Sequence, residues 1–131
     1  MTSQPDRVMF PIKEFFGMQL EVVEPGHARA RLTMGEHHLN PNNVAHGSVY
    51  FTMADTSMGG ATMSLLGEGW FCTTVDLQIR FIRPVSEGEV TCDTKVLKRG
   101  RTVVHLDSSI VDQQGQLLAT AQGTFAVFEI A

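Results

Sequence analysis

The segment over residues 46–66 constrains this chain most, because its 21 residues carry a single charged side chain, Asp55. As a helix, a segment of this length spans about 30 Å. Apolar and small residues lie nearly all round it, so we expect it to be buried on most sides. Gly59 and Gly60 in its interior cost roughly 1 kcal/mol each relative to alanine. Such a pair indicates a close backbone approach at that point.

The remainder of the chain is expected to form strands separated by short turns. A helix of one or two turns over residues 11–16, stopped by Gly17, comes first. Strands are predicted over residues 18–23, 27–34, 71–82, 89–97, 102–111 and 116–128. Because the connections are short, we expect meander order and mostly antiparallel pairing. The sequence therefore predicts an α+β domain in which a strongly curved antiparallel sheet wraps around one long central helix.

Alternation of apolar and polar residues assigns faces to two of these strands. In residues 27–34 the apolar face consists of Ala28, Ala30, Leu32 and Met34. In residues 71–82 one face carries Val75, Leu77, Ile79 and Phe81, and the other carries Thr74, Asp76, Gln78 and Arg80.

Composition limits the class of protein. With 131 residues, 43% of them hydrophobic, the chain has the size of one domain, and we assign residues 1–131 to it, with residues 1–10 frayed. A formal net charge of −4 disfavours a nucleic-acid binder. The sequence has no run of about 20 apolar residues, so we expect no membrane span. Its N-terminus has no basic patch before an apolar run, so we expect no signal peptide. Two cysteines suit a reducing compartment, so we expect a cytoplasmic protein.

Familiar catalytic and metal-binding motifs do not fit. Ser57 is not expected to be a hydrolase nucleophile, because Asp55 stands where a nucleophile elbow requires its first glycine. His37 and His38 are adjacent, so their side chains diverge, and no ligand lies at a metal-binding spacing. We therefore expect no metal. Four further residues lack partner motifs and are expected to be structural: His27, His105, Cys72 and Cys92.

Two candidates for chemistry lie on the long helix. A carboxylate such as Asp55, in a helix otherwise without charge, is costly unless it is paired, hydrogen-bonded or used in a reaction. It is either a buried hydrogen-bonded residue, a residue at an oligomer seam, or a functional group. At the helix start, after Asn40 and a turn, the first N–H groups of His46-Gly47-Ser48 can hold an anion or an oxyanion. The alternative is ordinary capping by Ser48 or Asn43.

Spacing keeps these two candidates apart within one chain. Gly47 and Asp55 are eight residues apart, which is about 12 Å along a helix. One chain therefore cannot bring both groups to one substrate atom. Two antiparallel helices related by a two-fold axis can do so, and a single site built from both groups is then shared between two protomers.

A basic cluster stands out in the acidic chain. Four of the ten lysine and arginine residues lie within seven positions, around a predicted hairpin loop at 98–101: Lys95, Lys98, Arg99 and Arg101. The cluster is either a solvated turn or a patch for phosphates, such as those of a nucleotide tail.

Taken together, the spacing Asn40-x5-His46-Gly47-Ser48-x6-Asp55 resembles the motif of the hotdog-fold acyl-CoA thioesterases, in particular the phenylacetate-pathway type. The resemblance continues through Thr73 to Leu77, residues 81–85, Gly88, the turn at 98–102 and the segment 119–125, and covers most of residues 12–128. It implies a dimer with a continuous sheet and shared active sites, often paired again as a dimer of dimers. It implies no cofactor beyond the coenzyme A of the substrate.

The resemblance also implies roles for individual residues. Asp55 is implied as nucleophile or general base, and Gly47 as the donor of the oxyanion N–H. Asn40 and His46 support the thioester pocket, and Thr74 positions water or the acid. The residues implied to contact the coenzyme A phosphates are Lys98, Arg99 and Arg101.

Two positions depart from the family motif. Asn43 replaces a glycine, which is tolerable because asparagine adopts the left-handed conformation. Ser48 replaces the second glycine after the histidine, which keeps the backbone N–H but narrows the pocket and affects substrate size.

The resemblance implies hydrolysis of an aryl- or medium-chain acyl-CoA to the free acid and coenzyme A. Two other functions stay open. One is a hotdog-fold hydratase or dehydratase acting on enoyl or hydroxyacyl thioesters, and the other is a non-catalytic acyl-CoA-binding module.

Overall fold

A computed structural model describes residues 10–130. In chain order its elements are helix α1 (Pro11–Phe16), strands β1 (Gln19–Glu24) and β2 (His27–Thr33), a 3-10 turn (Glu36–His38), helix α2 (Gly47–Met63) and strands β3 (Trp70–Phe81), β4 (Glu89–Arg99), β5 (Val103–Val111) and β6 (Leu117–Glu129). The segment predicted to be frayed, residues 1–10, lies outside the described residues except for Phe10. All the predicted elements are present, with ends shifted by up to three residues.

The six strands form one antiparallel sheet in the order β1-β2-β4-β5-β6-β3. Antiparallel pairing is confirmed, but the expectation of meander order is wrong, because β2 pairs with β4 and β3 pairs with β6. The physical reason is α2, which follows β2 and packs across the sheet. The chain therefore leaves the helix at the far edge, forms β3 there, and returns to β2 with β4.

The core lies between α2 and the concave face of the sheet, which wraps around the helix so that all six strands contact it. On β2 the predicted apolar face is confirmed, since Ala28, Ala30 and Leu32 are buried. On the helix, Met53 and Met58 are fully buried. Burial of this apolar surface is the main driving force that joins helix and sheet.

Helix α2 is shorter than predicted and is not covered all round. It ends at Met63 because Ser64 turns towards the β1–β2 turn, where its Oγ accepts the Gly26 N–H at 2.8 Å. The Leu20 side chain packs against Gly60, where an added Cβ would approach it to 3.1 Å, so the close approach expected at the glycine pair occurs within the chain. No helix within residues 10–130 has both the length and the apolar character of a membrane span.

Strand β3 departs from the predicted alternation at Val75. The pairing with β6 passes from Thr74–Phe125 to Asp76–Thr124, which leaves Val75 as an unpaired bulge with 61% of its surface exposed. A bulge inserts one residue and reverses the faces beyond it. Thr74 therefore lies on the helix-facing side together with Leu77, whereas the alternation had placed it on the opposite side. The bulge is the reason that the expected faces of Val75 and Thr74 are both wrong.

Candidate functional site

The carboxylate of Asp55 is bonded to the neighbouring strand. Thr74 Oγ1 donates a hydrogen bond to Asp55 Oδ1 at 2.6 Å. The Val75 bulge makes this contact available, because it turns the Thr74 side chain towards α2. Asp55 is half-buried, and Thr74 is the only group among residues 10–130 that donates to its carboxylate. The second oxygen, Oδ2, is therefore open to a water molecule or a substrate.

Cys72 lies on the same face of β3, two residues before Thr74. Burial raises the pKa of its thiol to about 11, and the negative charge of Asp55 adds to this effect. The thiol stays protonated at neutral pH, so it does not compete with Asp55 as a nucleophile. The second cysteine, Cys92, is fully buried in the core, which also raises the pKa of its thiol.

The start of α2 is capped by His46 rather than by Ser48 or Asn43. His46 Nδ1 accepts the Ser48 N–H at 3.0 Å, which places the ring proton on Nε2. The Ser48 N–H is consequently occupied and not open to a substrate. Within residues 10–130, no group accepts the Gly47 N–H, so this donor at the positive end of the helix remains available to a ligand.

The loop before α2 is organised by Asn40. Its Oδ1 accepts the N–H groups of Asn42 at 2.8 Å and Val44 at 3.3 Å. Asn43 has a φ of 62°, the left-handed conformation that an asparagine in place of glycine requires here. The Asn40 side chain thus shapes the loop with its oxygen and keeps its NH₂ group for other contacts.

A cavity of about 390 Å³ opens beside this helix start. Its lining includes Asn40, Val44, Gly47, Tyr50, Phe81 and Pro84. The Phe81 ring lies over Gly47, since a Cβ added at Gly47 would approach its Cζ to 3.2 Å. Tyr50 and Phe81 were not among the residues expected at the site. The sequence shows both as ordinary apolar residues of a helix and a strand, and only the tertiary structure places them beside Gly47.

The predicted site residues thus form two groups on one chain. Asp55, at the middle of α2, lies together with Thr74 of β3, and Asn40, His46 and Gly47 lie together at the start of α2. The eight residues between Gly47 and Asp55 separate the groups by about 12 Å along the helix. The face of α2 between them is partly exposed, with 43% of the Phe51 surface accessible.

The basic cluster differs in detail from the predicted hairpin loop. Lys95, Lys98 and Arg99 all belong to strand β4. Lys95 is exposed and pairs with Asp107 of β5. Arg99 Nη1 donates to the Gly100 carbonyl at 2.6 Å, and its guanidinium lies 5.8 Å from the centre of the Trp70 ring. Arg99 is thus held against its own chain, although it remains exposed.

Sheet register relates this cluster to Asp55. Thr74 pairs with Phe125, Phe125 with Val104, and Val104 with Arg99. Three strand spacings separate the ends of this row, or about 14 Å. The basic residues therefore lie on the side of the sheet that is level with Asp55, which we call the Asp55 end.

The other histidines make structural contacts. His27 Nε2 bonds to Asp93 at 2.8 Å, in line with the structural role expected for this strand histidine. Both ring nitrogens of His38 are used, since Nδ1 accepts the Gly35 N–H and Nε2 donates to the Phe16 carbonyl, each at 2.8 Å. In the described part of the chain, histidine, cysteine and carboxylate side chains nowhere gather in a group of three that could hold a metal.

Known proteins resemble this chain over most of its length. The sequence model of the thioesterase superfamily matches residues 42–119. A candidate esterase of Saccharolobus solfataricus is 30% identical over 119 residues, which is 89% of this chain and 77% of that protein. A conserved protein of Pseudomonas aeruginosa, whose structure is solved, is 32% identical, with a TM-score of 0.89 over 95% of this chain and 99% of its own.

The PaaI protein of the phenylacetic acid degradation operon of Escherichia coli shares the fold. Its TM-score is 0.86 at 23% identity, over 98% of this chain and 91% of its own. These matches support a thioester-hydrolysing enzyme, and the chain belongs to the thioesterase superfamily and has the hotdog fold.

Proposed function

We propose that this protein is a single-domain acyl-CoA thioesterase that hydrolyses its substrate to a free acid and coenzyme A. The observation that carries the proposal is the arrangement along α2. A carboxylate with one open oxygen, Asp55, lies at the middle of the helix, and an N–H without an acceptor among residues 10–130, that of Gly47, lies beside a cavity at its start.

The chemistry requires both groups. Attack on a thioester carbonyl places negative charge on its oxygen, and a preorganised N–H such as that of Gly47 stabilises this charge by several kcal/mol. Asp55 either removes a proton from the attacking water or attacks the carbonyl carbon itself. If Asp55 activates water, the carbon–sulfur bond then breaks, and the proton that Asp55 took from the water is passed to the sulfur, which leaves as the coenzyme A thiol. If Asp55 attacks, the carbon–sulfur bond breaks to leave the acyl group on Asp55 as an anhydride, the thiolate takes a proton from solvent, and water then hydrolyses the anhydride to the free acid and restores Asp55. Thr74 holds one carboxylate oxygen, which directs the other towards the substrate.

A second chain joins the two groups into one site. Phe51 lies midway between Gly47 and Asp55. If two α2 helices pack antiparallel about a two-fold axis near Phe51, Gly47 of each helix lies level with Asp55 of the other. The second chain's Gly47 then lies beside Asp55 of the first. Phe51 is 43% exposed, so another chain can contact the helix at this point.

Strand β3 is compatible with the same axis. It forms one edge of the sheet, and it runs antiparallel to α2, with Thr74 at Asp55 and Phe81 at Gly47. Antiparallel pairing of two β3 strands about the midpoint of residues 74 and 81 places Thr74 opposite the second chain's Phe81. Helix and strand thus require one symmetry operation, which gives a homodimer with two shared sites. A further pairing into a dimer of dimers is part of the proposal.

The basic residues Lys98, Arg99 and Arg101 would bind the phosphates of coenzyme A, because they are exposed and lie at the Asp55 end. Asn40 and His46 would support the thioester at the Gly47 end through the Asn40 NH₂ and the His46 Nε2–H. Ser48 would border the pocket, since its side chain is exposed beside them. No metal or redox cofactor is required by this chemistry.

A panel of acyl-CoA substrates with coenzyme A thiol release as the readout tests the function. Phenylacetyl-CoA belongs in the panel, because its hydrolysis would place the protein in the phenylacetate-type branch. Thiol release by the wild type and not by Asp55→Asn is the expected result. Loss of an enoyl-CoA double bond without thiol release would indicate a hydratase. Tight binding of acyl-CoA without any turnover would indicate a non-catalytic module.

A further inference from the structure

We propose that Phe81 is a specificity-determining residue that excludes acyl groups branched at the carbon next to the thioester carbonyl. This inference rests on the proposed function, in which the Gly47 N–H binds the carbonyl oxygen. It concerns the shape of the acyl group and adds no step to the chemistry.

The position of the Phe81 ring relative to Gly47 carries the inference. A Cβ added at Gly47 would lie 3.2 Å from Cζ and 3.4 Å from Cε1 of Phe81, so the ring edge covers the glycine. A carbonyl oxygen bonded to the Gly47 N–H lies about 3 Å from that nitrogen. Because Gly47 and Phe81 line the same cavity, we place the carbon next to the carbonyl beside the ring. Any branch on that carbon must share space with Phe81.

The ring is also held in place. Phe81 is stacked on Tyr50, with 5.9 Å between ring centres and an interplanar angle of 29°. Tyr50 is 3% exposed, and its hydroxyl donates to the Arg83 carbonyl at 3.2 Å. Phe81 pairs with Ala119 of β6 at the last position of β3. The inner side of the ring is therefore blocked, and the ring cannot move inward to admit a branched group.

The outer side of the ring remains accessible, with 55% of the Phe81 surface exposed in the single chain. A straight acyl chain or a flat group joined through a CH₂ can lie along this side and contact an apolar wall. Since a single methyl group in a hydrophobic pocket changes kcat/KM by about 10–200-fold, one branch is enough for strong discrimination. We therefore expect the preferred substrates to be unbranched next to the carbonyl.

Butyryl-CoA and isobutyryl-CoA provide the test, because they have the same four carbons and differ in whether one of them branches next to the carbonyl. The wild type should favour butyryl-CoA by at least about 10-fold in kcat/KM. Phe81→Ala should reduce this ratio to within about 2-fold, and Phe81→Leu should give an intermediate value. Phe128→Ala is the matched control, because Phe128 is also an exposed phenylalanine but lies far from Gly47. It pairs with Phe71, which is ten residues from Phe81 along β3. The control variant should keep the wild-type ratio.

Two outcomes would overturn the inference: no wild-type preference, or an unchanged ratio in Phe81→Ala. An unchanged ratio with an equal loss on both substrates would mean that Phe81 contacts the pantetheine arm. A second measurement compares the dissociation constants of the ketone analogues of butyryl-CoA and isobutyryl-CoA, in which CH₂ replaces the sulfur. This second measurement needs no turnover. If the wild type hydrolyses no acyl-CoA, the proposed function fails, and equal affinities for the two analogues would reject the role of Phe81 separately.

Discussion

Asp55 is the single residue on which the proposed chemistry depends most. It is held by one hydroxyl, that of Thr74, and the bulge at Val75 brings this hydroxyl to the helix side of the strand. A local irregularity of the backbone thus supports the group that is proposed to activate water or attack the thioester.

Replacing Asp55 by asparagine should lower thioesterase turnover by at least ~100-fold, because the amide is neither a base nor a nucleophile. The fold should be retained, since the amide oxygen still accepts the Thr74 hydrogen bond. Turnover of the purified variant is measured by thiol release, with thermal unfolding as the check on folding. A kcat near that of the wild type would rule out the assignment of Asp55.

The sequence predicts the site residues unevenly. Asp55 is evident as the only charge in a long apolar segment, and the motif resemblance adds Asn40 and Gly47. The position of Thr74 facing the helix is not predictable, because a bulge depends on the pairing of β3 with β6. The same holds for Phe81, whose place over Gly47 arises from tertiary packing alone.

At the scale of elements, the turn at the end of β4 and the loop before α2 serve the two ends of the proposed site. The turn carries Arg99 and Arg101, and the loop is joined to α1 through His38. Its ring bonds the Gly35 N–H and the Phe16 carbonyl, and its own carbonyl accepts the His46 N–H at 2.9 Å. His38 thus links α1 to the cap of α2.

Charge removal at both Arg99 and Arg101 should raise KM for acyl-CoA and weaken its dependence on salt, with little change in kcat. The reason is that these groups are proposed to contact phosphates and not the thioester. An N-acetylcysteamine thioester, which lacks phosphates, is the control substrate. An equal loss of activity on this substrate would show that the cluster does not bind phosphates.

The His38 contacts predict a dependence of stability on pH. Burial lowers the pKa of His38 below its ordinary value of 6.5, an effect that the nearby His37 increases and the bond to Phe16 opposes. The unfolded chain therefore binds the proton more readily than the folded one. The stability from the neutral ring is complete above about pH 6.5 and is lost as the pH falls below that value.

Unfolding in denaturant at pH 7 and pH 5 measures this effect. His38→Leu should lower the free energy of unfolding at pH 7 by about 1–3 kcal/mol, because two backbone groups lose their partner. It should also reduce the difference between the two pH values. His105→Leu is the control, since His105 is exposed. An unchanged pH difference in the His38 variant would contradict the assignment.

Secondary structure is predictable here to a greater degree than topology. Alternation and turn residues predict all six strands, and Gly17, with a φ of 67°, ends α1 as expected. Strand order is not predictable in the same way, because β3 and β4 alternate similarly and either could pair with β2. The helix ends early at Ser64 because of a bond to Gly26, which is distant in sequence.

At the scale of the whole molecule, one chain holds two separate groups of the proposed site, one around Asp55 and one around Gly47. The exposed face of α2 and the edge strand β3 are both compatible with the proposed two-fold axis between these two groups. The spacing of Gly47 and Asp55 already predicts a shared site from the sequence, whereas the common axis of helix and strand emerges only from the fold.

Mixing two inactive variants tests the shared site most directly. Asp55→Ala removes the carboxylate, and Gly47→Val places a side chain against Phe81 at the oxyanion N–H. Each variant alone should be inactive, with its fold verified by circular dichroism. After subunit exchange at equal concentrations, half of the dimers are mixed and carry one intact site of two, so about a quarter of wild-type activity should return. No recovery after verified exchange, or full activity in a monomer by analytical ultracentrifugation, would contradict a site built from two chains.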